Sequence, residues 1–516
     1  MSLFVSILVL LFAAVLLTRL AGSLRVPYPS FLALGGAALA LLPGTPQIVL
    51  DPSLALAIFV APVLLDAAYD TSLRDLSDNR LPIILLVVMA VGVTTAAVAV
   101  VFHAIVPEVP WAAAIALGAI VAPPDAAAAT AVLRQVSIPN RLLQILEGES
   151  LFNDASALLI FAVAVRLVED GDAELTTLVP TYAASVVGSI LAGIALNWVA
   201  RRLLRLGQDA PASIVLQFTT TYGVWVLAEY LELSPILTMV SYGMAIARFG
   251  GRTDPVLRIK SYAVWDTVVF LSNVLAFTLI GLQLGPILER LSPEQRTSYL
   301  LIAGVVLATV ILARIAWVMS YNTWLRFKNW KFGINLPDRM TRPSTRGGII
   351  ISWSGMRGIV TLAAALALPG DFPQRDLIQF VAFVVALGTL VVQGFTLGPL
   401  VRLLHFPDDH QIDDEVALAR RAALETAIAT LHDDETIYAE SLRVEYQALL
   451  ELGDGSRAGG RVQLTGHETR RMNAIRAARE AISDLRARGE IGDLAFHRIQ
   501  ELLDHADLYT TRQTDY

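Results

Sequence analysis

Cysteine is absent from all 516 residues, which excludes disulfides, thiolate metal sites and cysteine nucleophiles and leaves the redox compartment open. Lysine occurs only at Lys260, Lys328 and Lys331. Of the seven histidines, only His103 precedes residue 405; His405, His410, His432, His467, His497 and His505 follow. Charge is scarce as well, at 16% of residues against roughly a quarter in a soluble domain. No phosphate-binding loop or other nucleotide signature is present, so ATP-driven work is excluded. What the chain has instead is apolar sequence, 55% of the total, and the bulk of it belongs in lipid.

The composition divides the chain. Residues 1–404 are a near-continuous series of apolar runs, whereas residues 405–516 are rich in Ala, Arg, Glu and Asp. The second part carries 22 acids and 13 arginines, a balance of −9, which leaves +2 for the first. We read a transmembrane domain, 1–404, and a helical cytoplasmic tail, 405–516. The opening run Leu3–Leu17 lacks a basic leader and a clean small-residue cleavage site, so it is expected to be a first membrane span rather than a signal peptide.

A span needs roughly 17–25 apolar residues, fewer where protein buries it. About thirteen are expected, near 3–20, 29–44, 54–69, 81–106, 111–134, 142–168, 177–200, 212–231, 234–248, 264–284, 297–320, 346–369 and 376–404. The basic residues test this count, because they accumulate in cytoplasmic loops. Arg74 and Arg80 follow span 3, Arg201, Arg202 and Arg205 follow span 7, and Arg326, Lys328, Lys331, Arg339, Arg342 and Arg346 follow span 11. The intervening loops hold only Arg290, Arg296 and Arg375. This alternation puts the N-terminus outside and the acidic tail in the cytoplasm of a multi-pass plasma-membrane protein.

An ionised side chain at the bilayer centre costs at least ~2.5–3.5 kcal/mol, so each one needs a partner, a cavity or a job. Span 6 concentrates Glu147, Glu149, Ser150, Asn153, Asp154 and Ser156 within ten residues. At 100° per residue, Glu147, Ser150 and Asp154 share one face, and Glu149 points away from it. Span 5 is interrupted by Pro123 and Pro124, which remove two N–H donors and free upstream carbonyls. At membrane depth such a break is tolerated where it lines a cavity. Asp125, which follows it, is either a cap on the second half-helix, facing its positive dipole end, or part of a cation site. Span 12 is broken too, at Ser354-Gly355-Met356-Arg357-Gly358. Two broken helices crossing in opposite directions are the pattern of an inverted-repeat transporter with its site at the midplane. Arg357 needs a counter-ion, and Glu149 is the best unclaimed acid. Asp66, near the cytoplasmic end of span 3, either lines an ion funnel or is interfacial. Glu229, Asp266 and Arg314 are expected near span ends or among other polar groups, where snorkelling suffices, and are given no role.

Four stretches now carry a resemblance: Glu147–Asp154 with its Asn-Asp pair, the Pro124-Asp125 break, Gly355-Met356-Arg357-Gly358 followed by Thr361-Leu362-Ala363, and Trp265–Leu284 ending Leu279-Ile280-Gly281-Leu282-Gln283-Leu284. Together the chain resembles the monovalent cation:proton antiporter-1 family, of bacterial sodium/proton antiporters and animal sodium/proton exchangers. The resemblance implies an all-α membrane fold with inverted repeats and two broken crossing helices, working as a homodimer in pH homeostasis. It implies that Asp154 binds cation and proton alternately, with Asn153 beside it, Ser150 as a hydroxyl ligand and Asp125 as a second acid at the unwound crossing. Asp66 stands where the family usually carries Glu, and Glu149 with Arg357 looks like its structural ion pair. The residue before Asp125 is commonly Thr; here Pro124 keeps a backbone carbonyl ligand and loses the hydroxyl. Electrogenic relatives resemble a design with two adjacent acids in span 6, where this chain has Asn153.

The expected mechanism follows from the inventory. With six of the seven histidines at or beyond residue 405, the transported proton is expected to ride on a carboxylate; no lysine lies in a span to neutralise Asp154, and burial makes H+ and Na+ compete for it. Na+ is a hard cation that takes oxygen ligands, here from Asp154, Ser150, Asp125 and the Pro124 carbonyl. The expected activity is secondary, electroneutral 1:1 exchange of Na+ for H+ by alternating access, with no cofactor beyond the transported ions. A K+-preferring antiporter and a cation channel are the alternatives; a signalling receptor would need an output motif that the tail lacks. The tail is expected as helices at Glu415–Leu431, Glu435–Leu452, Arg470–Arg488 and Asp493–Leu508, its histidines either a pH sensor or plain surface.

Overall fold

The apolar runs fold as helices, and the described residues of the computed structural model contain no strand. Described are residues 2–24, 26–42, 51–133, 136, 138–169, 175–207, 209–249, 255–332, 344–406, 409, 411–432, 436–455, 475–478, 480–481, 483–484, 488 and 499. By its internal contacts the chain divides into two units, Met1–Asp408 and Asp409–Tyr516.

The first unit contains α1 (Ser2–Leu24), α2 (Tyr28–Ala40), α3 (Pro52–Asp70), α4 (Arg80–Ile105), α5 (Trp111–Val121), α6 (Ala126–Leu133), α7 (Asn140–Glu169), α8 (Leu175–Leu203) and α9 (Ala210–Tyr230). It continues with α10 (Pro235–Phe249), α11 (Pro255–Leu282), α12 (Pro293–Phe332), α13 (Thr345–Trp353), α14 (Ile359–Leu366) and α15 (Arg375–Leu404). Among the described residues, seven helices, α3, α4, α7, α8, α11, α12 and α15, are long and apolar enough to cross a membrane; α1, α2 and α5 are shorter apolar helices. Helix starts follow ordinary capping chemistry. Asp51, Asp209 and Ser344 each accept a backbone N–H of the first turn of α3, α9 and α13, with proline or glycine close behind.

Both expected interruptions are present. α5 ends at Val121, just before Pro123 and Pro124, and α6 begins at Ala126; α13 ends at Trp353 and α14 begins at Ile359. Two further helices are locally unwound by π turns, at Leu56–Val60 in α3 and Leu85–Ala90 in α4. Such turns leave carbonyls without their usual helical partner, and the Val87 carbonyl in the second accepts Ser156 Oγ of α7 at 2.7 Å.

Around the first break pack α4, α5, α7, α12 and α15, with Leu117, Ile120, Met356, Phe380 and Phe383 buried in one apolar cluster. A second group, α3, α8, α9 and α10, buries Trp225, Met239 and Tyr242. Leu, Val and Phe elsewhere on α1, α8 and α12 are exposed, as expected of lipid-facing surface. The second unit contributes α16 (Gln411–Thr430) and α17 (Ile437–Gly455), close to the first two expected tail helices. The other two, Arg470–Arg488 and Asp493–Leu508, lie largely outside the described residues.

Candidate cation site at the crossed breaks

The two broken segments touch through their backbones. The Asp125 amide donates to the Met356 carbonyl at 2.6 Å, so the gap in one helix closes against the gap in the other. Each leading half-helix ends with carbonyls that have no intrahelical donor, and each meets a buried arginine. Arg357 donates from Nε to the Val121 carbonyl at 2.9 Å and from Nη2 to the Ala122 carbonyl at 3.2 Å, and its Nη1 donates to the Gly355 carbonyl. Its own amide donates to Thr389 Oγ1 of α15 at 3.1 Å. Arg314 does the same for α13, donating from Nε and Nη2 to the Ile351 carbonyl at 3.3 and 3.1 Å. A cation at the negative end of a helix is favourable, so each guanidinium stabilises a break that proline or glycine creates.

This arrangement corrects the ion pair expected from sequence. Glu149, 1% exposed, is held by Arg314 rather than Arg357: Nη1 to Oε1 at 2.6 Å and Nη2 to Oε2 at 2.9 Å. The bidentate geometry is the strong form of such a pair. Arg357 is fully buried, and its donors are answered by orphan carbonyls instead of a carboxylate. Arg314, assigned no role above, lies mid-helix in the 40-residue α12. It is 2% exposed, not snorkelling. A charge isolated in the run from Tyr299 to Trp324 was the available signal.

The face of α7 computed from periodicity is the one observed. Glu147, Ser150 and Asp154 line a cavity of about 470 Å³, which Asp66, Asp125 and Asp266 also line, and Asp70 besides. No basic residue is among its described lining, so the cavity is a cation-attracting vestibule. Glu149 faces the other way. Asp125 Oδ1 accepts the Ala127 amide at 2.9 Å, which makes it a cap on α6, and it also lines the cavity; the two readings are compatible. Asn153, fully buried, donates from Nδ2 to the Pro124 carbonyl at 2.7 Å. The Asn of the Asn-Asp pair therefore fixes the unwound strand, and its Oδ1 has no hydrogen-bond partner among the described residues. A carbonyl has two lone pairs, so Pro124 keeps acceptor capacity for a cation. Asp154, which lines the same cavity, is 9% exposed.

The site is tight at the glycines. A Cβ on Gly355 would lie 2.6 Å from Arg314 Cδ and 3.1 Å from Arg357 Nη1, and one on Gly358 would collide with the Asp125 carboxylate. Gly358→Ala is accordingly expected to displace Asp125 and lower exchange at least about ten-fold, the kinetic equivalent of ~1.4 kcal/mol. Initial rates of cation-driven proton flux, normalised to folded protein, check this. An unchanged rate would mean that the Asp125 position is not critical.

A curated "Sodium, potassium, lithium and rubidium/H(+) antiporter" of Bacillus subtilis is 29% identical over 481 residues, 89% of this chain and 71% of the relative. An uncharacterised Na+/H+ exchanger of Escherichia coli is 32% identical over 503 residues, 89% of each chain. The solved sodium proton antiporter MjNhaP1 from Methanocaldococcus jannaschii has a TM-score of 0.58 at 19% identity, covering 78% of this chain and 99% of that one, a likeness of fold. The family model described as "Sodium/hydrogen exchanger, transmembrane" matches residues 7–403, and the chain belongs to that family.

Proposed function

We propose that this protein is a secondary antiporter that exchanges Na+ for H+ across the plasma membrane, one for one, with Asp154 as the residue that carries either ion. The observation that carries this reading is the acid-lined cavity that Asp154 lines beside two crossed helix breaks, with no arginine among its described lining residues. Asp154, Ser150, Asp125 and the Pro124 carbonyl supply hard oxygen ligands for Na+, while Asn153 and Arg357 hold the unwound strand that presents them. Asp66 stands in the vestibule. No cofactor enters the scheme.

The repeated device, a leading half-helix capped by a buried arginine at each break, supports an inverted repeat of about thirteen crossings. The basic loops support an external N-terminus and a cytoplasmic tail, with the tail as a regulatory element and the assembly a homodimer. K+ is the second candidate cation, because the Bacillus subtilis relative is described as carrying K+, Li+ and Rb+ as well as Na+.

Charge balance favours electroneutrality. Glu149 is held by Arg314 and Asp125 is fixed as the cap of α6, so neither changes charge in this scheme, and the loaded Asp154 carries the same charge with Na+ as with H+. In proteoliposomes, exchange driven by a fixed pH gradient is expected not to respond to a valinomycin–K+ potential of either sign, once K+ transport has been tested. Inside-out vesicles with a pH dye, challenged with Na+, Li+ and K+ in turn, test the activity and its ion. A zero-flux point that shifts with voltage would require more than one proton per cation.

A further inference from the structure

A second cavity, of about 570 Å³, lies apart from the ion site, between the ends of α4, α7, α12 and α13 that adjoin the basic loops. Its composition is the reverse of the first. Arg141, Arg326 and Arg346 line it, and no acidic residue is among the described residues that do. Arg326 and Arg346 are exposed at its rim, and Arg141 is half-buried. Arg141 Nε donates to Asn79 Oδ1 at 3.0 Å, Arg346 Nη1 to the His405 carbonyl at 2.9 Å, and Arg326 Nη1 to Thr345 Oγ1. The rest of the wall is largely apolar, with Leu86, Leu142, Ile145, Val318, Leu325 and Ile351 prominent. Tyr321 also lines it, and its hydroxyl is buried with no hydrogen-bond partner among the described residues.

We propose that this cavity is a binding site for an anionic phospholipid of the leaflet facing the basic loops, with the phosphate at Arg141, Arg326 and Arg346 and the upper acyl chain along the apolar wall. Guanidinium groups offer forked donors that suit a phosphodiester. The Tyr321 hydroxyl adds a donor in search of an acceptor. A soluble anion would use the arginines but leave the apolar wall wet, whereas a lipid satisfies both, and basic pockets between helices on this side are the kind that take such headgroups. The site also has leverage on transport. α7 runs from Arg141 in the cavity to Glu149 and Asp154, and α12 and α13 run from it to Arg314 and Ile351. An occupant would therefore brace the two helices that carry the Glu149–Arg314 pair, and with them α13, whose Ile351 carbonyl accepts from Arg314.

The test uses the full chain, delipidated in detergent, with phosphatidylglycerol, phosphatidylcholine and inorganic phosphate as separate probes in native mass spectrometry. Phosphatidylglycerol is expected to remain bound at one copy per protomer and phosphatidylcholine at least about ten-fold less. With roughly a five-fold contribution per arginine, Arg326→Gln combined with Arg346→Gln is expected to weaken binding ~25-fold. Leu325→Trp, which fills the wall and keeps every charge, is expected to weaken it as well. Arg201→Gln with Arg202→Gln, outside the cavity, is expected to leave it unchanged. For the unmutated protein, photoactivatable phosphatidylglycerol should label residues 318–326 and 344–351. Binding indifferent to the cavity variants, labelling spread evenly over the helices, or inorganic phosphate binding in place of the lipid would each overturn the proposal.

Discussion

Asp154→Asn is expected to abolish exchange while leaving expression and folding intact. The substitution is nearly isosteric and removes the carboxylate on which the proposed cycle depends. The other acids at the crossing are committed. Glu149 is bound bidentately by Arg314, and Asp125 Oδ1 caps α6. Asp154 has neither constraint: it lines the cavity, with no lysine in the expected spans to neutralise it. An ionised carboxylate buried without a partner is costly, so it is occupied by H+ or by the cation. In the proposed cycle that exclusive occupancy couples the two fluxes. Asparagine can still donate oxygen to a cation but cannot release a proton, so flux should fall below about 1% of the starting rate, a barrier rise of at least ~2.7 kcal/mol. Asp154→Glu, which keeps the charge one methylene further out, should retain partial activity with altered affinity. The measurement is dequenching of a pH dye in inside-out vesicles after a Na+ or Li+ pulse, normalised to membrane-inserted protein. Cation-driven flux that survives in Asp154→Asn would transfer the carrier role to Asp125 or Glu147.

How much of this could be read in advance depends on where each constraint is written. Burial in lipid is written into composition, so the apolar runs and their breaks were legible: two prolines in succession cannot continue a helix, and α5 stops just before them. The face of α7 was legible for the same reason, since a 100° step places Glu147, Ser150 and Asp154 together whatever surrounds them. The π turns of α3 and α4 were not, because no residue type marks an extra residue in a turn. Nor was the partner of Glu149. Arg314 is 165 positions away, and only the approach of α12 to α7 decides between it and Arg357. Need alone pointed to Arg357, on the assumption that a buried guanidinium must meet a carboxylate. The carbonyls of Val121 and Ala122 serve instead, and backbone acceptors have no signature in sequence. The sequence places Asn153 beside the ion-carrying Asp154 but does not show that its amide braces the Pro124 carbonyl, a contact that only geometry reveals.

The pairing so assigned has a large expected cost when broken. Glu149→Gln and Arg314→Gln should each destabilise the fold by roughly 3–5 kcal/mol, because either change strands the other charge at a site that is almost fully dehydrated. Arg314→Gln should be the worse of the two. It also withdraws the donors that Arg314 gives to the Ile351 carbonyl at 3.1 and 3.3 Å, leaving the end of α13 uncapped beside Gly355. Glu149→Gln leaves those contacts in place. The double variant Glu149→Gln/Arg314→Gln should recover part of the loss, since two neutral side chains no longer demand a counter-charge. The double-mutant cycle should give a coupling in the upper part of the roughly 0.5–3 kcal/mol range for contacting residues. Glu149→Gln with Arg357→Gln should couple more weakly, because Arg357 is satisfied by Val121, Ala122 and Gly355, and its loss unravels a different helix end. Thermal unfolding of the detergent-solubilised variants, followed by fluorescence-detected gel filtration, supplies the stabilities, and proteoliposome flux at a temperature where all remain folded supplies the activities. If the strong coupling were instead found between Glu149 and Arg357, and the Arg314 effects merely added, the two arginines would have exchanged partners in the membrane and the capping of α5 by Arg357 would have to be given up.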